Sequence, residues 1–398
     1  MTTVVVSAYN VANFPRGGGH FWVYMQYVLG LRRLGCDVYW LEEFRGSGDP
    51  VRDAEARSIF TERMQRFGMN GKLILYGDRG EADPPDWREY LTIRAADAEA
   101  VFRRADLLLN FHYGIDPGLL SCFRRTALVD IDPGLLQFWI SRGQLTVGAH
   151  DAYFTTGETV GTPLARFPDC GLSWLRIRPP ICLDLWPYVR SPGGEAFTTV
   201  SSWWGLDWLV DADQVIENTK RVAFLRFAGL PRHTSQPLEL ALFLIDTDAE
   251  ERQFMEAQGW RIRHSSEVAG NPEQYQRYIQ ASRGEFSCAK PSCTLFQNAW
   301  VSDRTLCFLA SGRPVVVQNT GPSAFLPDGE GMFRFSTIDE AVDAFATINA
   351  DYDRHRRAAR NIAEAYFDAR QICEQILNLA IGPCGAVSPA TSRRQYPS

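Results

Sequence analysis

Short apolar runs alternate with amphipathic helical stretches along most of the chain, and this alternation limits the possible folds more than any other feature. In the first half, predicted helices cover residues 21–35, 53–67, 86–104 and 134–142. Between them lie the strand candidates TVVVSAY, DVYWLE, KLILYG, LLLNFH, TALVDID and AYFTTGE. Strands that alternate with helices predict an α/β fold, in which helices cover both faces of a parallel sheet.

The pattern stops at a proline- and glycine-rich segment, RSPGGEAF, and then begins again. The second series of strand candidates is FTTVSSWW, LELALFLID, WRIRHSS, GEFSCAK, PVVVQ and MFRFS, and its predicted helices lie near residues 213–228, 248–258 and 272–282. A long helical stretch runs from residue 338 to about 380. Because 398 residues exceed what one core usually holds, we predict two Rossmann-like domains. The predicted bounds are residues 1–190 and 196–352, followed by terminal helices over 353–382 and a disordered tail over 383–398.

Charge and cysteine spacing exclude several classes of protein. The net charge of -6 and the lack of a sustained basic run argue against a nucleic-acid partner. The nine cysteines show no C-x-x-C pairs, which argues against structural zinc and a disulfide framework. We also find no apolar run of membrane-spanning length and no basic segment at the N-terminus. We therefore expect a cytoplasmic protein, monomeric or homodimeric, that does not associate with a membrane.

Lysine is rare in this chain, since only Lys72, Lys220 and Lys290 occur among 41 basic residues. Arginine presents a planar fork to a phosphate, whereas lysine acts as a compact point charge. The bias toward arginine makes each lysine a more interesting residue. It also suggests a bacterial source with a GC-rich genome.

The segment SDRTLCFLASGRPVVVQNTG predicts a helix that starts at a strand end of the second domain. Ser302 is the expected N-cap, and Asp303, Arg304 and Thr305 then form the first turn. A cation in that position is unfavourable for the helix dipole, so a bound anion is expected to balance Arg304. We interpret this helix start as a cradle for a diphosphate, and Gly321 is expected to form a tight turn at the end of the next strand.

The loop RGGGH follows the first strand of the first domain. Gly18 and Gly19 are expected to allow positive φ and a close approach of the backbone to a ligand. His20 begins the next helix, whose dipole is expected to lower the pKa of the imidazole and keep it neutral. His20 is the leading candidate for a general base, although a capped, half-buried histidine fits the same position.

Other candidates lie next to predicted strands. All but His150 follow a strand end, where open α/β sheets bind ligands, whereas His150 comes just before the strand AYFTTGE. Asp130 and Asp132 are candidates to orient His20 or bind a sugar hydroxyl, with helix capping as the alternative role of Asp132. His112 and His150 are candidates for the cleft on the acceptor side. Trp204 is a candidate for stacking on a base or sugar, unless it belongs to the core. The residues singled out in this way are Asp130, Asp132, His112, His150 and Trp204.

Two segments resemble the GT-B glycosyltransferases. EFSCAKPSCTLFQNAWVSDRTLCFLASGRPVVVQNTG is similar to their donor-binding part, and GGGHFWVYMQYVLGLRRLGCDVYWLE is similar to the start of their acceptor domain. The resemblance implies two Rossmann-like domains that face a central cleft, with C-terminal helices crossing back to the first domain. It also implies a nucleotide-diphosphate sugar as co-substrate, with no metal and no other cofactor. Lys290 and Arg304 would neutralise the diphosphate, assisted by the backbone amides of residues 302–305, and Gly321 would approach the donor sugar.

The chain departs from the family at the positions that usually report stereochemistry. Ala299 and Cys307 occupy the two positions of the E-x7-E pair of retaining members, and the H-C-G or H-G-G triplet of inverting members is missing. Retention and inversion therefore both stay open. The predicted function is transfer of a sugar from a UDP- or TDP-type donor to a small-molecule hydroxyl, in the manner of natural-product biosynthesis. The alternatives are a sugar-nucleotide epimerase of the same fold and a non-catalytic nucleotide-binding protein.

Overall fold

Two parallel sheets form the framework of the protein in the computed structural model, which describes residues 1–78, 88–205, 208–211 and 214–382. The predicted disordered tail, residues 383–398, lies outside the described residues. Each sheet is covered by helices on both faces, as the alternating sequence pattern predicts.

The first sheet has the strand order β4-β3-β2-β1-β5-β6-β7-β8. Neighbouring strands are parallel except for β3 and β4. The strands are β1 (Thr3–Ser7), β2 (Asp37–Glu43), β3 (Leu73–Asp78), β4 (Arg88–Tyr90), β5 (Leu107–Asn110), β6 (Thr126–Asp130), β7 (Ala152–Thr155) and β8 (Trp174–Arg176). The helices of this half are α1 (Gly18–Arg33), α2 (Pro50–Arg66), α3 (Ala95–Arg104), α4 (Pro117–Leu120) and α5 (Leu135–Ser141).

The second half repeats the plan. Its strands are β9 (Phe197–Ser202), β10 (Trp208–Asp211), β11 (Gln214–Glu217), β12 (Leu238–Phe243), β13 (Arg261–His264), β14 (Gly284–Ser287), β15 (Val315–Gln318) and β16 (Met332–Phe335). Strands β13-β12-β9-β14-β15-β16 form an all-parallel sheet in the Rossmann order, whereas β10 and β11 form a separate hairpin. The helices are α6 (Lys220–Arg226), α7 (Ala249–Ala257), α8 (Ser265–Ala269), α9 (Pro272–Ala281), α10 (Pro291–Phe296), α11 (Asp303–Ala310), α12 (Ile338–Ala350), α13 (Tyr352–Tyr366) and α14 (Ala369–Ile381).

Three predicted helices differ from the structure. The helix expected over 86–104 begins only at Ala95, after the edge strand β4, and the helix expected over 213–228 begins only at Lys220, after the hairpin. The stretch from 338 to 380 is three helices, because Asp351 and Asp368 each accept a hydrogen bond from a backbone amide that starts a new helix. Local capping thus divides a stretch whose apolar periodicity is nearly continuous.

The terminal helices return to the first domain. On α1, Gly30 leaves room for α14, since a Cβ atom there would lie 2.6 Å from Cys373 Sγ. On α13, Arg360 donates hydrogen bonds of 2.7 Å to the carbonyls of Trp186 and Ala310. The predicted crossover of the C-terminal helices is therefore confirmed. Among the described helices, none has the length and apolar character needed to span a bilayer.

Candidate functional site

A cleft of about 580 Å³ lies between the two domains. The carboxyl ends of β1 and β6 contribute to one wall, and the carboxyl end of β9 and the starts of α6 and α11 contribute to the other. This is where two facing Rossmann-like sheets direct their loops and helix N-termini. Nine of the predicted site residues line it: Gly18, Gly19, His20, Asp132, Trp204, Lys290, Ser302, Asp303 and Arg304.

Two further predicted residues, Thr305 and Gly321, line a recess of about 20 Å³ beside the cleft. Ser302 borders both spaces. Gly321 has a φ of +124°, and a Cβ atom there would lie 2.6 Å from the carbonyl oxygen of Gln297. The turn after β15 therefore requires glycine for its backbone geometry.

Asp130, His112 and His150 are not among the residues that line the cleft, which corrects their prediction as cleft residues. Asp130 is fully buried and accepts hydrogen bonds from Gln137 Nε2 at 2.8 Å and Thr155 Oγ1 at 2.9 Å. Burial raises the pKa of this carboxyl to about 7. The carboxylate fastens the end of β6 to β7 and α5.

The two histidines are structural in the same way. His150 bonds through Nε2 to Asn110 Nδ2 at 3.1 Å and donates from Nδ1 to the carbonyl of Gly148 at 2.7 Å. His112 is buried, its ring lies 4.9 Å from that of Tyr9, and burial lowers its pKa to about 4. Because Tyr9 lines the cleft, His112 supports the cleft wall from behind.

The charge of Arg304 is balanced within the protein, and not by an external anion as the sequence suggested. Its Nε donates to Glu285 Oε1 at 2.7 Å, and its Nη1 donates to the carbonyl of Val200 at 2.8 Å. A third hydrogen bond joins its Nη2 to Ser287 Oγ. Glu285 is completely buried, and burial lowers the pKa of Arg304 while the charge of Glu285 raises it, with a net increase. Arg304 is therefore held as a positioning residue at the start of α11.

Lys220 is a cleft residue that sequence reasoning missed. It is the first residue of α6, and burial lowers the pKa of its amine to about 7, with a further decrease from the charge of Arg304. Asp303 and Glu285 act in the opposite direction. The rarity of lysine was the one sequence signal for this residue, and it did not place Lys220 in the site.

Lys290 of the second domain and Asp132 of the first domain both line the cleft, and they form an ion pair of 3.5 Å across it. The predicted capping role of Asp132 is wrong, because α5 begins at Leu135 with Gly134 as its N-cap. The carboxylate of Asp132 faces a lysine of the other domain. Lys220, Lys290 and Arg304 thus place three cationic side chains on the second-domain side of one cleft.

The start of α11 presents backbone donors to this cleft. Ser302 is the N-cap residue, but its hydroxyl makes no capping hydrogen bond, which corrects the expected cap. The first amides of a helix have no acceptor within the helix. The amides of residues 303–305 therefore add partial positive charge beside Lys220 and Arg304.

His20 lies across the cleft on the first-domain side. Its Nε2 is 2.8 Å from the carbonyl oxygen of Tyr9, so Nε2 carries the proton and Nδ1 carries the lone pair. The pKa of His20 is lowered, as expected, and the main cause is burial. The carboxylates of Asp303 and Asp132 raise it in part. His20 is therefore neutral near pH 7 and able to accept a proton.

Gly18 and Gly19 serve the contact between the domains. A Cβ atom at Gly18 would lie 2.3 Å from the carbonyl oxygen of Asn271, and one at Gly19 would lie 2.8 Å from the ring of Tyr275. Neither glycine has positive φ, contrary to the prediction. Their lack of side chains lets the start of α1 approach α9 while the same loop borders the cleft.

Trp204 lies at the edge of the cleft with 43% of its surface exposed, so it is not a core residue. The indole Nε1 donates to Asp248 Oδ1 at 2.7 Å, and the guanidinium of Arg221 lies 4.3 Å from the ring centroid. The described residues contain no cluster of three or more metal-ligating side chains.

No protein-family model and no curated protein matches the sequence. Solved structures similar to this chain include an alpha-glucosyltransferase in complex with UDP and a 13-mer DNA, with a TM-score of 0.60 and 11% identity over 96% of this chain and 99% of that one. HepE from Anabaena in complex with UDP-glucose matches with a TM-score of 0.59 and 11% identity over 95% and 99%. A glycosyltransferase from Rickettsia africae matches with a TM-score of 0.52 and 9% identity over 95% and 97%. These likenesses cover nearly the whole chain, and they confirm that its fold is that of the GT-B glycosyltransferases.

Proposed function

We propose that this protein is a glycosyltransferase that moves a sugar from a nucleoside-diphosphate donor to a hydroxyl group of a small-molecule acceptor. The observation that carries the proposal is the convergence of Lys220, Lys290 and the first amides of α11 on one interdomain cleft. Cations and helix N-termini at strand ends are suited to bind a diphosphate. The two similar structures that contain UDP or UDP-glucose support a uridine nucleotide and a hexose.

The diphosphate would lie between the two lysines and the start of α11. The amines of Lys220 and Lys290 act as point charges toward the phosphate oxygens, and the amides of residues 303–305 donate hydrogen bonds. Arg304 adds positive potential while its hydrogen bonds to Glu285 and Val200 hold the helix start in place. Because these groups supply the positive charge, we propose a reaction that requires no divalent metal.

Transfer breaks the bond between the anomeric carbon and the diphosphate and forms a bond to the acceptor oxygen. The diphosphate leaves with the bonding electron pair, and the lysines stabilise the negative charge that develops on it. The acceptor hydroxyl loses its proton, which we assign to Nδ1 of neutral His20. Ala299 and Cys307 offer no carboxylate that could form a covalent intermediate with the sugar. The proposed reaction therefore includes no glycosyl-enzyme intermediate.

The acceptor side of the cleft has a mixed apolar and polar lining. Tyr9 and Phe14 are 41% and 39% exposed, and both border the cleft on the first-domain side. Half-exposed aromatic rings favour an acceptor with an apolar or ring-shaped face. One structural neighbour was solved with DNA, but a net charge of -6 opposes a polyanionic acceptor here.

Replacing Lys220 or Lys290 by methionine should each weaken UDP binding by about 1.5–3 kcal/mol, because each change removes a charge-assisted contact. Isothermal titration calorimetry measures the effect. Lys72→Met is the matched control. Lys72 is the third lysine of the chain, it forms an ion pair of 2.7 Å with Asp37, and it does not line the cleft. Equal UDP affinity in the wild type and both cleft variants would contradict the proposed donor site.

UDP binding should weaken as the pH rises above 7.5. The amine of free Lys220 has a pKa of about 7, and a bound diphosphate favours its charged form, so binding takes up a proton. The phosphates of UDP are fully ionised in this range, since the second phosphate pKa is about 6. Kd should increase by up to about tenfold per pH unit between pH 7.5 and 9. The Lys220→Met variant should lose this dependence, and a persistent dependence in that variant would assign the proton to another group.

His20→Gln should lower turnover by roughly 10²–10⁴-fold while the Kd for UDP stays nearly unchanged. The reason is that the imidazole accepts a proton from the acceptor but does not hold the diphosphate. Release of UDP from UDP-glucose measures turnover, with and without acceptors found by screening. His233→Gln, which changes an exposed histidine, is the control. An equal loss in UDP affinity would instead place His20 in donor binding, and conversion of the sugar without transfer would favour an epimerase.

Arg304→Met should lower the free energy of unfolding by about 3–5 kcal/mol, because it leaves the carboxylate of Glu285 buried and unpaired. The double variant Glu285→Met/Arg304→Met should recover most of this loss of stability. Its UDP affinity should fall by less than that of Lys220→Met, because the change removes one cation and one anion together. Chemical denaturation and calorimetry measure the two quantities. A stable double variant that loses as much UDP affinity as Lys220→Met would contradict the purely positioning role of Arg304.

A further inference from the structure

A second cavity of about 340 Å³ lies between α2 and the start of α9, outside the proposed donor site. Three arginines and two glutamates border it: Arg16, Arg63, Arg66, Glu62 and Glu273. Arg16 also borders the interdomain cleft, so one side chain connects the two spaces. Nothing in the proposed reaction accounts for this concentration of arginine.

Arg63 is the exceptional member of the group. It is only 6% exposed, and within the described part of the chain its guanidinium makes no hydrogen bond and no ion pair. Its Nη1 is completely buried and has no hydrogen-bond partner among the described residues, and its Cζ atom lies 5.7 Å from the centroid of the Phe21 ring. A buried charge without a partner is strongly unfavourable, and burial lowers the pKa of Arg63 accordingly.

The carboxylates of the cavity form no close ion pair with Arg63. Glu273 raises the pKa of Arg63 through its charge, yet no ion pair within 4.0 Å joins the two side chains. Glu62 is exposed and accepts a hydrogen bond from Ser58 Oγ at 3.2 Å. Arg66 lowers the pKa of Arg63 further, so a second cation adds to the unbalanced positive charge. Arg16 pairs with Glu55 at 3.4 Å, with 72% of its side chain exposed.

We propose that this cavity binds a small oxyanion, a phosphate or carboxylate group, with the guanidinium of Arg63 as its main partner. Arg66 supplies further positive charge, and Arg16 borders the side of the cavity that faces the cleft. The anion is either a free ion or the charged end of an acceptor that extends from the cleft past Arg16. The site itself does not depend on the proposed transferase function, whereas the second source of the anion does.

The test is a calorimetric titration of the full chain with inorganic phosphate in the presence of saturating UDP. Bound UDP blocks the lysine site, so the remaining phosphate binding reports the second cavity. If UDP does not bind, phosphate is titrated into the Lys220→Met/Lys290→Met variant without UDP, and binding again reports the second cavity. Failure of the donor site is thereby distinguished from failure of this proposal. Arg63→Met should weaken phosphate binding at least tenfold, because methionine keeps the apolar stem and loses the charge.

Arg52→Met is the matched control, since Arg52 lies on the same helix with 80% of its side chain exposed and pairs with Asp49. It should bind phosphate like the wild type. In phosphate-free buffer, Arg63→Met should unfold at the same or a higher temperature than Arg52→Met, because it removes a buried charge that has no partner. Unchanged phosphate affinity in Arg63→Met, or an unfolding midpoint below that of Arg52→Met, would overturn the proposal.

Glu273→Gln separates anion binding from a direct contact between the domains. If Arg63 binds an anion, removing the competing carboxylate of Glu273 should tighten phosphate binding. If Arg63 instead pairs with Glu273 in solution, the variant should lower the unfolding midpoint in phosphate-free buffer and leave phosphate binding no tighter, which would overturn the proposal.

A parallel titration with glucose 6-phosphate identifies the source of the anion. An acceptor group is indicated if this hydroxyl-bearing phosphate binds more tightly than inorganic phosphate and Arg63→Met abolishes the difference. A free anion is indicated if inorganic phosphate binds at least as tightly and Arg63→Met weakens both. Either result requires Arg63, so binding of both compounds that is insensitive to Arg63→Met counts against the site.

Discussion

The buried pair of Glu285 and Arg304 organises the second domain around its cleft. Through three hydrogen bonds, Arg304 joins the start of α11 to two adjacent strands, β9 and β14. Only one carboxylate oxygen of Glu285 has a hydrogen-bond partner within the described residues, so this pair stabilises position more than it stabilises the fold. The position it fixes is that of the helix amides that face the cleft. A mobile cation on the helix surface would bind a phosphate but would not hold those amides still.

This fixed charge sets the behaviour of its neighbours. Arg304 cannot lose its proton, so the amine of Lys220 close to it is the group that responds to the empty or filled state of the cleft. In the proposed reaction, the diphosphate would bring the negative charge that favours the ammonium form of Lys220. Without a ligand, the lowered pKa of Lys220 reduces the repulsion among the three cations of the cleft. Lys290, paired with Asp132 of the other domain, connects the same charge to the arrangement of the two domains.

The sequence predicts the parts of the structure that depend on local periodicity and strand ends. Continuous apolar strands and intervening helices are enough to predict two Rossmann-like sheets, and strand ends are enough to locate the cleft. Side-chain direction is not predictable in this way, because Asp130 and His150 lie near strand ends but bond to neighbouring strands. The partner of Arg304 also follows from the tertiary fold, since Glu285 is 19 residues away on another element. The sequence pattern predicted one helix over 213–228 and did not separate the β10–β11 hairpin from the start of α6 at Lys220. Lysine rarity was therefore the one feature that drew attention to Lys220.

The glycine loop illustrates why a motif can be located correctly and interpreted incorrectly. Three glycines after the first strand are typical of backbone that approaches a ligand, yet here two of them allow α1 to approach Asn271 and Tyr275 of the second domain. The contact is reinforced by Trp22, whose Nε1 donates to the carbonyl of Pro272 at 3.1 Å. The close approach of α1 and α9 places His20 at the cleft, and the start of α9 also borders the arginine cavity beside α2. One tight interdomain contact therefore determines the shape of both spaces. A substitution at Gly18 would consequently act on the proposed donor cleft and on the arginine cavity together, although the residue need not touch a ligand in either.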